Sequence, residues 1–222
     1  MIVVHHLQNS RSQRILWMLE EMGAEYTVKR YERDPETQLA PPELLKVHAL
    51  GKSPVISDGD NVIAESGAIV EYLARVHGNG AMAPEVGTEE YNQYVYWLHY
   101  AEGSLMTPLL LKLVFNRIKT TKMPFFVKPI ANGIADKVMS SFVTPSIVRH
   151  MTFVDQHLEG REWFAGNELS GADIQMSFPL EAALARDESL HKLKNLSGFV
   201  KRVQSRDAYK RALETGGPYD YV

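Results

Sequence analysis

GKSPVISDGDNVIAESGAIVEYLA, residues 51–74, joins a Ser-Pro turn, a two-strand hairpin and an acid-hydroxyl pair that opens an amphipathic helix. Pro54 has no N–H and tolerates a cis bond, so a turn at Ser53-Pro54 can aim the Ser53 backbone outward. Residues 54–57 and 62–64 read as strands, with Asp58-Gly59-Asp60-Asn61 supplying the turn between them. Ser66 then starts a helix, because Ile69, Tyr72, Leu73 and Val76 recur at i, i+3, i+4 and i+7. One face packs inward, and the first-turn N–H groups point outward, where they suit a carboxylate. Glu65 suits an ammonium group, so the pair matches the two charges of an amino-acid head group. The same two residues also read as an ordinary helix cap after a solvated Glu. A segment of this kind can hold a peptide-like ligand.

Working outward, the pattern predicts a strand over 2–7, a helix over 12–23 and a strand over 25–31. A loop with Pro35, Pro41 and Pro42 follows, then a short helix near 43–48, which gives the order βαβαββα for residues 1–78. In the first helix Ile15, Met18, Leu19 and Met22 form the inner stripe and Gly23 ends it. Between His77 and Thr88 the pattern lapses into Gly, Pro and Ala, which places a linker over 79–88. Residues 89–222 read as all-helical: Tyr91, Tyr94, Val95 and Leu98 open a long helix running towards 118, and another helical stretch precedes Gly160. In LSGADI, residues 169–174, Ser170 and Asp173 form an acidic capping box and Leu169 can staple onto Ile174. That motif predicts folding work, not chemistry.

At 222 residues the chain can bury a sizeable core in two modest domains. Its net charge of -3 gives no reason to expect nucleic acid. Ile2-Val3-Val4 is followed at once by His5 and His6, which is unlike a signal peptide, and no run approaches a membrane span; the expectation is a cytoplasmic protein with no membrane partner. With no cysteine, disulfides, zinc–thiolate sites and a protein thiol nucleophile are excluded. The eight histidines are scattered, and His5 and His6 on neighbouring strand positions point to opposite faces, so no metal site is expected.

The Pro54 turn, the hairpin and Glu65-Ser66 together resemble the glutathione-binding segment of the cytosolic glutathione transferases, in particular a serine-type or bacterial and fungal-like branch. Trp163-Phe164-Ala165-Gly166 followed by LSGADI is similar to the start of the buried helix in that family's all-helical domain, so the resemblance spans both halves of the chain. It implies a thioredoxin-like N-terminal domain of α/β class and an all-α C-terminal domain. Glutathione would be the co-substrate, with Ser53 backbone on its cysteinyl part and Glu65 and Ser66 on its γ-glutamyl end. Most members carry an apolar residue before the proline, where this chain has Ser53; only the side chain differs, so backbone pairing survives. Lys52, where the family often has a polar or basic contact, could neutralise a carboxylate or stay solvated. The basic pair that some serine-type members use for the glycyl carboxylate is absent, for Leu39-Ala40-Pro41-Pro42 stands there.

The resemblance also poses a chemical question. The nucleophile is the thiolate, and a free thiol near pKa 8.5 is mostly protonated at neutral pH. Family members stabilise it with a Tyr, Ser or Cys after the first strand. Here the first tyrosine is Tyr26 and cysteine is absent, which leaves Ser10 and Ser12 in QNSRSQR. Ser10 lies four residues before Arg14, as in serine-type members, and is the expected thiolate stabiliser; Ser12 and the amide of Asn9 are the alternatives. Ser10-x-x-Gln13 is also a possible capping box.

The electrophile is expected around Tyr100, Glu102, Leu105, Met106 and Leu109 on the long helix, where Met and Leu make an adaptable apolar wall. Two positions apart on a helix do not share a face, so one of Tyr100 and Glu102 points at the sulfur. The implied function is detoxification-type transfer, an attack of bound glutathione on an electrophile, with glutathione-dependent peroxide reduction as a neighbouring activity. A non-catalytic binding or regulatory protein on the same fold is the alternative. The family likeness and the apolar content of helices near 66–77 and 89–118 imply a homodimer.

Overall fold

The computed structural model describes residues 1–222. Its N-terminal part is a four-stranded mixed sheet in the order β2-β1-β3-β4. Strand β1 (Ile2–Leu7) runs parallel to β2 (Tyr26–Tyr31), joined by helix α1 (Ser12–Met22), and antiparallel to β3 (Val55–Asp58). β3 turns into β4 (Asn61–Ala64), and helix α2 (Ser66–His77) follows. The short helix expected near 43–48 is one turn of 3₁₀ helix, Pro42–Lys46. Pro41 and Pro42 remove two N–H donors at its entry, so only a tight turn closes there.

Alternation along β1 sorts the layers. Ile2 and Val4 face α1 and α2 and join a core of 41 buried residues that continues without a break into the helical half. Leu7 faces the other way and packs with Tyr31 and Leu44 under the 3₁₀ turn. His5 and His6 divide likewise: His5 Nδ1 meets the Tyr31 hydroxyl at 2.9 Å, whereas His6 Nδ1 meets the Ser12 hydroxyl at 2.9 Å.

Helix α1 departs from the single stripe that its sequence predicts. Every residue from Ser12 to Leu19 is buried. The helix is covered by its own sheet on one side and by the helical half on the other, where Trp17 packs edge-on against Tyr209. Gly23 ends it in the left-handed conformation, φ 61°.

After residues 78–88 come α3 (Glu89–Tyr100), a π turn over Ala101–Leu105, and α4 (Met106–Thr120) as one rod. Helix α5 (Lys128–Val138) passes through a second π turn into α6 (Thr144–His157). Helix α7 (Gly171–Leu184) is buried along its whole length and lies at the centre; α8 (Lys194–Ser205) and α9 (Asp207–Gly216) close the bundle. The capping box at its start forms as expected: the Ser170 hydroxyl accepts from the Ala172 N–H, and Asp173 accepts from Ser170 N–H at 2.8 Å and also from Phe164 N–H at 2.8 Å. The architecture is therefore a thioredoxin-like α/β domain packed on an all-α domain.

Candidate active site

A cleft of about 290 Å³ opens where the two halves meet, and Arg11, Lys52, Ser53, Glu65, Ser66 and Glu102 line it. They come from the start of α1, the loop before β3, the start of α2 and the π turn after α3. The Ser53–Pro54 bond is cis. The Ser53 hydroxyl donates to the His5 carbonyl at 2.8 Å, which ties the turn to β1, while the backbone N–H and C=O of Ser53 take no backbone partner within the chain. Those two groups are what an extended peptide would pair with.

Glu65 stands at the start of α2 with φ 69°, a left-handed conformation that is costly for a residue with a Cβ. Glu65 itself takes the cap position without a side-chain cap bond, and Ser66 is the first helical residue with its hydroxyl on Arg14 and Gln175, so the reading of Ser66 as an ordinary N-cap fails. The surrounding structure instead holds an exposed carboxylate at the rim of the cleft. Ser66 is buried, and its hydroxyl accepts from Arg14 Nη2 at 2.6 Å and from Gln175 Nε2 at 3.2 Å.

Arg14 organises this end of the cleft from below. Pro179, inside α7, has no N–H to give to the carbonyl of Gln175 four residues earlier. Arg14 Nη1 donates to that carbonyl instead, while Nη2 serves both Ser66 and Glu102. Glu102 also takes Arg11: Nε donates to both carboxylate oxygens at 2.9 Å. Burial works to raise the Glu102 carboxyl, but the charges of Arg14 and Arg11 beside it prevail and hold it below its ordinary value. Glu102, not Tyr100, is thus the member of that pair that reaches the cleft.

The hydroxyls expected at the sulfur are turned elsewhere. Ser12 is fully buried; its Oγ accepts from Leu7 N–H at 3.2 Å and meets His6 Nδ1 at 2.9 Å. Burial, and then the charge of Arg30, push His6 down to about 4, with the Gly216 carbonyl as a backbone acceptor for its ring N–H. The Ser12 hydroxyl therefore has two acceptors beside it, the neutral ring at Nδ1 and the Leu7 carbonyl at 3.3 Å. Ser10 Oγ lies 2.8 Å from Ser12 Oγ and accepts from Ser12 N–H at 3.2 Å. Ser10 is 6% exposed and is not part of the cleft lining. The alternative role as a capping box is not formed either, because the Ser10 hydroxyl takes Ser12 N–H, and Gln13 N–H donates to the Ser10 carbonyl at 3.2 Å and not to its side chain. Asn9, at φ 51°, is paired with the chain terminus: its Nδ2 donates to Asp220 Oδ2 at 2.7 Å and its Oδ1 accepts from Asp220 N–H at 3.0 Å.

The residues expected at the electrophile divide too. Tyr100 is buried, with its hydroxyl 2.6 Å from His150 Nδ1, and Leu105 is wholly in the core. Met106 and Leu109, by contrast, line an apolar cavity of about 310 Å³ with Leu113, Ile147 and Ala183. Leu110 lines both this cavity and the polar cleft, so the two adjoin.

Comparison with known proteins decides the family. The model of the glutathione S-transferase N-terminal domain matches residues 1–75, and that of the C-terminal domain matches residues 123–207. Glutathione S-transferase 3 of Schizosaccharomyces pombe is 36% identical over 96% of this chain and 87% of its own length. Glutathione S-transferase 1 of Saccharomyces cerevisiae is 32% identical over 96% of this chain and 94% of its own. A crystal structure of a glutathione S-transferase from Actinobacillus pleuropneumoniae superposes with a TM-score of 0.80, at 32% identity over 100% of this chain and 95% of that one. The chain belongs to the glutathione S-transferase family. It is an enzyme, a transferase that uses glutathione.

Within that family the sequence reading located the cleft walls at Lys52, Ser53, Pro54, Glu65 and Ser66, all of which line it. It missed Arg11 and His48, which line it as well. Local sequence carries no signal for Arg11: what fixes it is Glu102, 91 residues away. His48 could have been found as a polar neighbour of Lys52 at the end of the 3₁₀ turn.

Proposed function

We propose that glutathione binds along the cleft as an added strand, with its γ-glutamyl ammonium on Glu65, its γ-glutamyl carboxylate on the Ser66 N–H and first turn of α2, and its cysteinyl backbone on Ser53. Lys52 and His48 lie at the opposite end, in place of the missing basic pair, and suit the glycyl carboxylate. The sulfur then faces the start of α1 and attacks an apolar electrophile held against Met106 and Leu109. The carrying observation is the contiguity of a polar cleft and an apolar cavity through Leu110. A hydroperoxide in the same cavity would make peroxide reduction the neighbouring reaction.

The expected loss on Glu65→Ala is about 1.5–3 kcal/mol in glutathione affinity, the worth of a charge-assisted bond. Calorimetry reads this directly, and unchanged affinity with an intact fold would return Glu65 to a structural role. Turnover with a panel of aryl halides, epoxides and hydroperoxides then separates transfer from peroxide reduction, and retention on immobilised glutathione without turnover of any would favour a binding protein.

We also propose a homodimer, as is typical of the family. Val62, Val76 and Tyr96, on β4, α2 and α3, are large apolar side chains left exposed on the single chain. Sedimentation should show twice the chain mass, and a monomer at micromolar concentration would overturn the proposal.

A further inference from the structure

We propose that Arg11 is the catalytic residue that stabilises the glutathione thiolate, through N–H donation from its terminal Nη groups. The inference rests on the reading that glutathione lies in the cleft, and on four features of the residue itself. Arg11 is the cap residue of α1, so its side chain leaves the chain at the N-terminal end of that helix, where the helix dipole favours an anion. Its Nε is committed to Glu102, and its guanidinium carbon lies 5.4 Å from the centre of the Phe178 ring, which fixes the plane of the fork. Its two Nη groups take no partner in the chain, and the side chain is 34% exposed on the cleft. Finally, two guanidinium groups, Arg11 and the buried Arg14, share one carboxylate, Glu102.

The competing side chains are turned away from the cleft lining. Ser10 and Ser12 are buried and hydrogen-bonded to each other, Ser12 also meets His6 and the Leu7 carbonyl, and Asn9 is bound at both amide atoms to Asp220. Arg14 is engaged with Gln175, Ser66 and Glu102. In the step itself, the thiol proton leaves to solvent when glutathione binds opposite Arg11. The sulfur lone pair then forms the S–C bond, and the leaving group departs with the bonding pair. Arg11 remains protonated throughout and exchanges no proton.

The test is the ultraviolet titration of the thiolate in the binary complex with glutathione. In the wild type the bound thiol should ionise below the free thiol. Arg11→Gln should move that titration up by about one to two pH units, a ten- to hundred-fold fall in the acid constant of the bound thiol, and Arg11→Lys should recover part of it. Glu102→Gln removes the carboxylate that competes for Arg11, so it should move the titration down. A merely structural Arg11–Glu102 pair would shift both variants the same way, and that result overturns the proposal. So does a titration unmoved by Arg11→Gln but raised by Ser10→Ala, which would return the sulfur to the hydroxyl. Calorimetry separates the underlying reading: no glutathione binding by the wild type defeats the cleft assignment, whereas binding with an unshifted thiol defeats Arg11 alone.

Discussion

Arg14 shows how one buried side chain can answer for a defect elsewhere in the fold. Pro179 costs α7 a hydrogen bond, and Arg14 repairs it from another helix while holding Ser66 and Glu102. Arg14→Met should therefore destabilise by about 3–5 kcal/mol, the cost of stripping a partner from a buried charged network. Pro179→Ala restores an N–H to the Gln175 carbonyl, so in the double variant about 1 kcal/mol of that loss should return. A urea-denaturation cycle reads the coupling, and strict additivity would show that Arg14 does not compensate for the proline. Legibility divides at this scale. Glu65, Ser66 and Ser53 could be read because hairpin, turn and helix start follow each other in sequence and fix one another locally. Which of Ser10 and Arg11 faces the cleft could not. That choice depends on Asn9 entering the left-handed region, held by Asp220, and on Glu102 drawing Arg11 outward. These partners lie 91 and 211 residues away.

Among the elements, those with a repeating pattern were legible and those with a phase change were not. The rod from 89 to 120 reads as one helix in sequence, yet the π turn at Ala101–Leu105 adds a residue to the turn and rotates everything after it. A 3.6-residue wheel drawn through it cannot place Tyr100, Glu102, Leu105, Met106 and Leu109 together. In the structure Glu102 reaches the polar cleft, Met106 and Leu109 the apolar cavity, and Tyr100 and Leu105 the core. Gly103 and Ser104, weak helix formers in the middle of this turn, are its one local trace. Helix α1 was misread for a different reason. Amphipathic patterning assumes one covered face, whereas α1 is sandwiched and buries Gln13 and Arg14 along with its apolar stripe. The capping box of α7 was fully legible, since both of its partners lie within four residues. What sequence could not supply is the third bond to Asp173 from Phe164 N–H, which joins the box to the preceding loop.

Across the whole molecule, the chain terminus links the buried core to the start of α1. Glu181, in the last turn of α7, accepts from Tyr209 at 2.5 Å and from Tyr219 at 3.0 Å, and Tyr219 precedes the Asp220 that holds Asn9. Burial pushes the Glu181 carboxyl up to about 7, against the opposing bonds from Tyr209 and Tyr219. An unfolded chain would release this proton near the ordinary 4.5. Between those values the folded state holds the extra proton, so the Glu181 contribution is fully present below about 4.5 and is lost as pH rises to about 7, by up to about 3 kcal/mol. Asp173, which burial raises to about 6, slopes the same way over a lower range. His6, pushed down by burial to about 4, slopes the other way below its ordinary 6.5. The difference between Glu181→Gln and wild type isolates the one term. Its denaturation midpoint relative to wild type should rise between about pH 5 and pH 7.5, and the near-ultraviolet signal of Tyr219 should change over the same range as the terminus loosens. A constant difference across that range would mean that Glu181 is ionised in the fold at both ends. The terminus would then be held to the α1 start by charge, with no pH dependence in the physiological window.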